Sequence, residues 1–61
     1  MKLNSWLRAT DTTISEFAEK TGVTVRSMYR YINGERVPEK LIMTRITELT
    51  DGQVTANSFY E

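Results

Sequence analysis

The side chains in this sequence best suited to chemistry are hydrogen-bond donors carrying positive charge. Arg26, Tyr29, Arg30 and Asn33 recur at i, i+3, i+4 and i+7, so a helix through them presents all four on one face. Arg36 and Lys40 follow in the next stretch. A guanidinium donates through a planar fork and neither accepts a hydrogen bond nor releases its proton. The chemistry on offer is therefore recognition of acceptors and anions. The absences agree with this. Histidine and cysteine are both missing from the 61 residues. That removes the usual general base and the usual thiol nucleophile, any disulfide framework and the common ligands of a zinc site. The remaining Ser, Thr, Lys and Tyr side chains form no activated pair. Glu16 and Glu19 do not suggest paired catalytic carboxylates, because Glu16 has a capping position and Glu19 lies on the solvent side. No enzymatic activity, metal or cofactor is expected.

Eight basic and eight acidic residues give a net charge of zero, which argues against a strongly basic nucleic-acid coat. The charges are nevertheless segregated. Between Thr24 and Arg45, five basic residues (Arg26, Arg30, Arg36, Lys40, Arg45) stand against two acidic ones, a local charge of +3. The rest has three basic residues (Lys2, Arg8, Lys20) against six acidic ones, or −3. At 39% hydrophobic the chain can build one small core and falls outside disordered compositions. Its longest strictly apolar run, Leu41-Ile42-Met43, is far too short for a membrane span. The N-terminus lacks the apolar core of a signal peptide. A reducing, cytoplasmic setting is expected, and Met1 at the start fits a complete small protein.

Helical periodicity supplies the elements that must position these side chains. Leu3, Trp6 and Leu7 make an apolar stripe on a short first helix. Thr13 opens a second helix and forms, with Glu16, the spacing of a capping box, with Phe17 and Ala18 directed inward. Gly22 suits the left-handed conformation that stops it. Thr24 caps a third helix from Val25 to about Asn33, which turns Met28, Tyr31 and Ile32 inward and ends at Asn33-Gly34. Pro38 and Glu39 suit the first turn of a fourth helix, with Ile42, Ile46 and Leu49 as its core stripe and Asp51-Gly52 as its end. The stretch from residue 53 to 61 is left open between an edge strand through Val54 and a final turn capped by Thr55 that carries Phe59.

The informative segment is Ile14 to Asn33, two short helices joined by a tight turn. Ala18 lies four residues before Gly22, as a close, steep helix crossing requires. Val23 and Met28 fill the wedge. With Phe17-Ala18, Gly22-Val23-Thr24, Met28, Tyr31-Ile32, Asn33-Gly34, Arg36 and Pro38, the sequence resembles the Cro/phage-repressor helix-turn-helix family. The resemblance runs from residue 3 to about residue 55 and includes Glu48 to Thr55 at the end of the fourth helix. It implies an all-α, compact lambda-repressor-like DNA-binding domain of four to five helices, one domain over residues 1–61 with its motif at 14–33.

The resemblance also implies that Val25, Arg26, Tyr29 and Arg30 face the major groove, and their spacing of i, i+1, i+4 and i+5 agrees. Arginine can hold guanine O6 and N7 bidentately, and valine can meet a thymine methyl group. Thr13 and Thr24 at helix N-termini, with Asn33, Arg36 and Lys40, are the expected phosphate contacts. Three positions depart from the family pattern. Ile14 stands where glutamine is common and is expected to pack. Val25 is apolar where a polar residue is usual. Asp51 replaces a small residue.

The implied partner is double-stranded operator DNA, bound by a homodimer that reads two half-sites, with Val54, Phe59 and Tyr60 as the candidates for self-association. Taken alone, Arg26 and Arg30 would be an ordinary solvated face. Their position on the second helix of this pair, with Arg36 and Lys40 following, favours DNA. The competing reading is a small antitoxin or other protein-interaction module, motivated by size, neutrality and the apolar tail of Val54, Phe59 and Tyr60.

Overall fold

Short helices leave most of their terminal N–H and C=O groups without intrahelical partners, so their ends must be satisfied by other means. In this chain threonine, glycine and one distant arginine do much of that work. The structure, a computed structural model, describes residues 1–60; Glu61, the last position of the open C-terminal stretch, lies outside the described residues. The order is α1 (Leu3–Ala9), α2 (Ile14–Thr21), α3 (Val25–Ile32), α4 (Lys40–Leu49) and a 3₁₀ turn at Ala56–Phe59. No strand occurs among the described residues, so the all-α expectation holds. The chain folds into 23 × 21 × 19 Å, room for a single core.

Thr13 caps α2 by accepting the Glu16 N–H at 3.1 Å. Only this half of the expected capping box forms, because the Glu16 carboxylate lies 3.6 Å from Lys20 Nζ instead. At its other end, Gly22 adopts φ +81°. Its N–H and that of Val23 both reach the Ala18 carbonyl, at 3.0 and 3.1 Å. The buried Thr21 hydroxyl donates to Phe17 and Ala18 carbonyls, each at 3.0 Å. The Thr21 carbonyl is held from α4, where Arg45 Nη1 donates to it at 2.9 Å. A Cβ on residue 22 would stand 2.8 Å from that same nitrogen. The backbone conformation requires glycine here, and a Cβ would in addition push the Arg45 guanidinium off the Thr21 carbonyl.

The core takes Leu3 and Leu7 from α1, Phe17 and Ala18 from α2, Met28 and Tyr31 from α3, Ile42 and Ile46 from α4, and Val54. Trp6 and Phe17 pack as tilted rings with centroids 5.4 Å apart, which joins α1 to α2. Ile14 and Val23 pack against this cluster, as expected of both.

Three expectations need correction. Pro38 and Glu39 precede α4; Glu39 is its N-cap residue and Pro38 is buried ahead of it. Leu49 is 39% exposed and is no part of the core stripe. Val54 is wholly buried, neither an edge strand nor a residue available for self-association. The reason is local. Asp51 and Gly52 take φ +56° and +78° in succession and turn the chain back on α4. The buried Thr50 hydroxyl then accepts the Val54 N–H at 3.1 Å, so Val54 enters the core with its backbone satisfied. Thr55 then opens the 3₁₀ turn, its N–H donating to Ser58 Oγ at 3.3 Å and its carbonyl accepting the Ser58 N–H at 3.0 Å. Phe59 consequently packs against the core, and of the three apolar tail residues only Tyr60 stays exposed, at 73%.

Gly22→Ala is expected to destabilise the fold by at least ~1–2 kcal/mol, the cost of a left-handed residue with a Cβ, as read by denaturant unfolding. In an Arg45→Ala background the same change is expected to cost at least ~0.5 kcal/mol less, because the steric conflict has gone. Strict additivity would contradict the contact.

Candidate functional site

The exposed face of α3 begins with its cap. The Thr24 hydroxyl accepts the Ser27 N–H at 3.1 Å, which fixes where the helix starts and hence which side chains point outward. Met28 and Tyr31 are buried and Ile32 half-buried. Val25, Arg26, Tyr29 and Arg30 are all exposed, Tyr29 at 49%. The four residues expected to read bases therefore share one free face of one helix.

The expected phosphate contacts divide among several neighbourhoods. Gly34 at φ +77° reverses the chain after the Asn33 C-cap. The N–H groups of Glu35 and Arg36 then return to the Arg30 carbonyl, at 2.9 and 3.4 Å. This ties Arg36 to the end of the α3 face. Asn33 and Arg36 line a groove of ≈ 330 Å³ together with Lys2. Lys40, the first residue of α4, lines a different cleft of ≈ 630 Å³ with Val37, Met43 and Tyr60. Thr13 shares a third groove with Arg8 and Asp11 at the start of α2.

The hydroxyls are not equivalent. Thr24 donates its proton to Ser27 Oγ at 3.0 Å while accepting the Ser27 N–H. At the α3 N-terminus the hydroxyl proton left over for a ligand is thus that of Ser27, a residue not singled out by the sequence. Its spacing of three after a capping threonine is the signal that could have found it.

The charges complete the site. Among the described residues the ion pair is Lys20–Glu16, and no carboxylate lies within pairing distance of Arg26, Arg30, Arg36, Lys40 or Lys2. That leaves a set of guanidinium and ammonium groups without an ion-pair partner among the described residues. Arg45, counted with this basic segment in the sequence, is bound to the Thr21 carbonyl instead. Lys2, counted with the acidic remainder, joins Asn33 and Arg36. Exposed arginines with no ion-pair partner among the described residues, and a half-buried serine, suit binding of anions and hydrogen-bond acceptors.

Thr24→Ala is expected to lower stability by ~1 kcal/mol, the usual cost of losing an N-cap. Arg26→Ala, Arg30→Ala and Arg36→Ala are each expected to stay within about ±0.5 kcal/mol of the parent. A larger loss at any arginine in urea unfolding would assign it a structural role. No protein-family model matches the chain, and no curated protein or solved structure matches it either.

Proposed function

We propose that the chain is a sequence-specific regulator of transcription that binds double-stranded DNA: a Cro-like, phage-type repressor whose α2 and α3 form a helix-turn-helix of the lambda-repressor kind. The observation that carries this reading is the outward face of α3, where Val25, Arg26, Tyr29 and Arg30 are exposed and both arginines lack a carboxylate partner among the described residues. A helix with its side chains is about 10–12 Å across and the major groove is about 12 Å wide. Inserted there, Arg26 and Arg30 donate to guanine edges and Val25 meets a thymine methyl group. Tyr29 packs on a sugar or donates to a phosphate. Asn33, Arg36, Lys40 and Thr13 hold the backbone and set the register, with Ser27 taking over the donor role first given to Thr24. Repression follows from occupancy of the operator in the cytoplasm, and no catalytic step is involved.

One module makes few contacts, so two copies on a symmetric operator complete the reading. Of the residues first considered for self-association, Tyr60 alone remains exposed, beside Val37 and Met43 in the α4 cleft. That cleft is also the feature that favours the second reading, a module that binds a partner protein. A partner retained at high salt with the α3 face left free would support it.

The wild-type chain is expected to hold one duplex sequence ~10³-fold or more tighter than random duplex, with affinity falling as salt rises. Arg30→Ala is expected to remove ~1–3 kcal/mol of discrimination at the base pair it reads. Fluorescence titration of preferred and scrambled duplexes measures both. Equal affinity for the two, or an Arg26→Ala/Arg30→Ala double variant that binds as the parent does, would reject the proposal. In sedimentation, two chains per symmetric duplex are expected and one chain per duplex would contradict the dimer.

A further inference from the structure

We propose that the groove between the start of α1 and the loop after α3 is a seat for a backbone phosphodiester of duplex DNA, and that Lys2 is a phosphate contact there. This rests on the DNA-binding reading above. Lys2 and Arg36 line the groove with two carboxamides, Asn4 and Asn33, and no carboxylate is among its lining residues that the structure describes. Neither cation has an ion-pair partner among the described residues. Two like charges facing one groove repel each other, and a bound anion turns that repulsion into attraction. The carboxamides add neutral donors for its remaining oxygens.

Both cations are anchored through their backbones. Leu3 is buried in the core and the Lys2 carbonyl accepts the Trp6 N–H at 3.0 Å, so Lys2 belongs to the folded body. Arg36 is tied to the Arg30 carbonyl at 3.4 Å. Asn33, the C-cap of α3 at the end of the Arg26–Arg30 face, also lines the groove, so the groove begins where that face ends. Ile32 and Val37 supply apolar wall beside the charges, which suits a sugar next to its phosphate. A helix in the major groove has backbone phosphates on either side of it, and this groove lies where one such strand would pass the end of α3.

The test is the salt dependence of duplex binding by the full chain and by Lys2→Ala, with Lys20→Ala as control. Lys20 is exposed and pairs with Glu16 on α2. Each phosphate contact contributes about 0.9 to the slope of log affinity against log salt. Lys2→Ala is expected to flatten the slope by that amount, so that a fourfold rise in salt costs it about 3.5-fold less affinity than the parent loses. Its loss is expected to be equal on preferred and random duplex, its melting temperature unchanged, and the Lys20→Ala slope that of the parent. A parental slope for Lys2→Ala overturns this inference and leaves the DNA-binding reading intact. No duplex binding by the parent overturns both. Exchanging chloride for inorganic phosphate at equal ionic strength identifies the source of the anion. A duplex seat keeps the difference between parent and variant, whereas a free-phosphate site abolishes it and also overturns the proposal.

Discussion

The angle at which the chain turns at Gly22 decides what α3 shows to its surroundings. Successive residues of a helix are about 100° apart, so a roll of one position would bring Met28 or Tyr31 to the surface and bury an arginine. The turn resists this at several points. Thr21 is buried beneath it, the Ala18 carbonyl takes the N–H groups of both Gly22 and Val23, and Arg45 reaches across from α4 to the Thr21 carbonyl. The positive guanidinium also faces the negative pole of α2. One hydrogen bond between residues 24 positions apart in sequence thus couples α4 to the hinge of the helix pair. The core then fixes the remaining freedom by taking Met28 and Tyr31 inward.

The charge distribution is the second constraint. Equal numbers of acids and bases would favour internal pairing, yet the basic residues on and after α3 have no carboxylate partner among the described residues. A chain with so few positive charges to spare has little non-specific affinity for a polyanion. In the proposed DNA complex, discrimination must then come from a few side chains aimed by α3, and affinity from the use of two copies. Lys2 matters in this setting because each added phosphate contact is a sizeable share of a small total.

Much of this was legible in the sequence because it is written locally. Caps at Thr13 and Thr24, stops at Gly22 and Asn33-Gly34, and the two faces of α3 each depend on neighbours within a turn or two. What was not legible depends on distant residues, or on a choice among near neighbours that spacing leaves open. Leu49 carries the right spacing for the core but stays exposed. Val54 reads as a tail residue until the consecutive left-handed conformations of Asp51 and Gly52 and the Thr50 hydroxyl fold it inward. Lys2 falls with the acidic remainder when charge is divided along the chain, whereas the fold brings it to the groove of Asn33 and Arg36. The Glu16 carboxylate had two compatible partners within reach, the Thr13 N–H and Lys20, and spacing alone does not choose between them.

The central claim is that α3 reads base sequence in duplex DNA. Selection of bound molecules from a random duplex pool, repeated at rising salt, tests it most directly. A single enriched motif, arranged as two related half-sites about one helical turn apart and retained as salt weakens the background, is the expected result. A pool that stays random, or enrichment that the Arg26→Ala/Arg30→Ala variant reproduces unchanged, would contradict it.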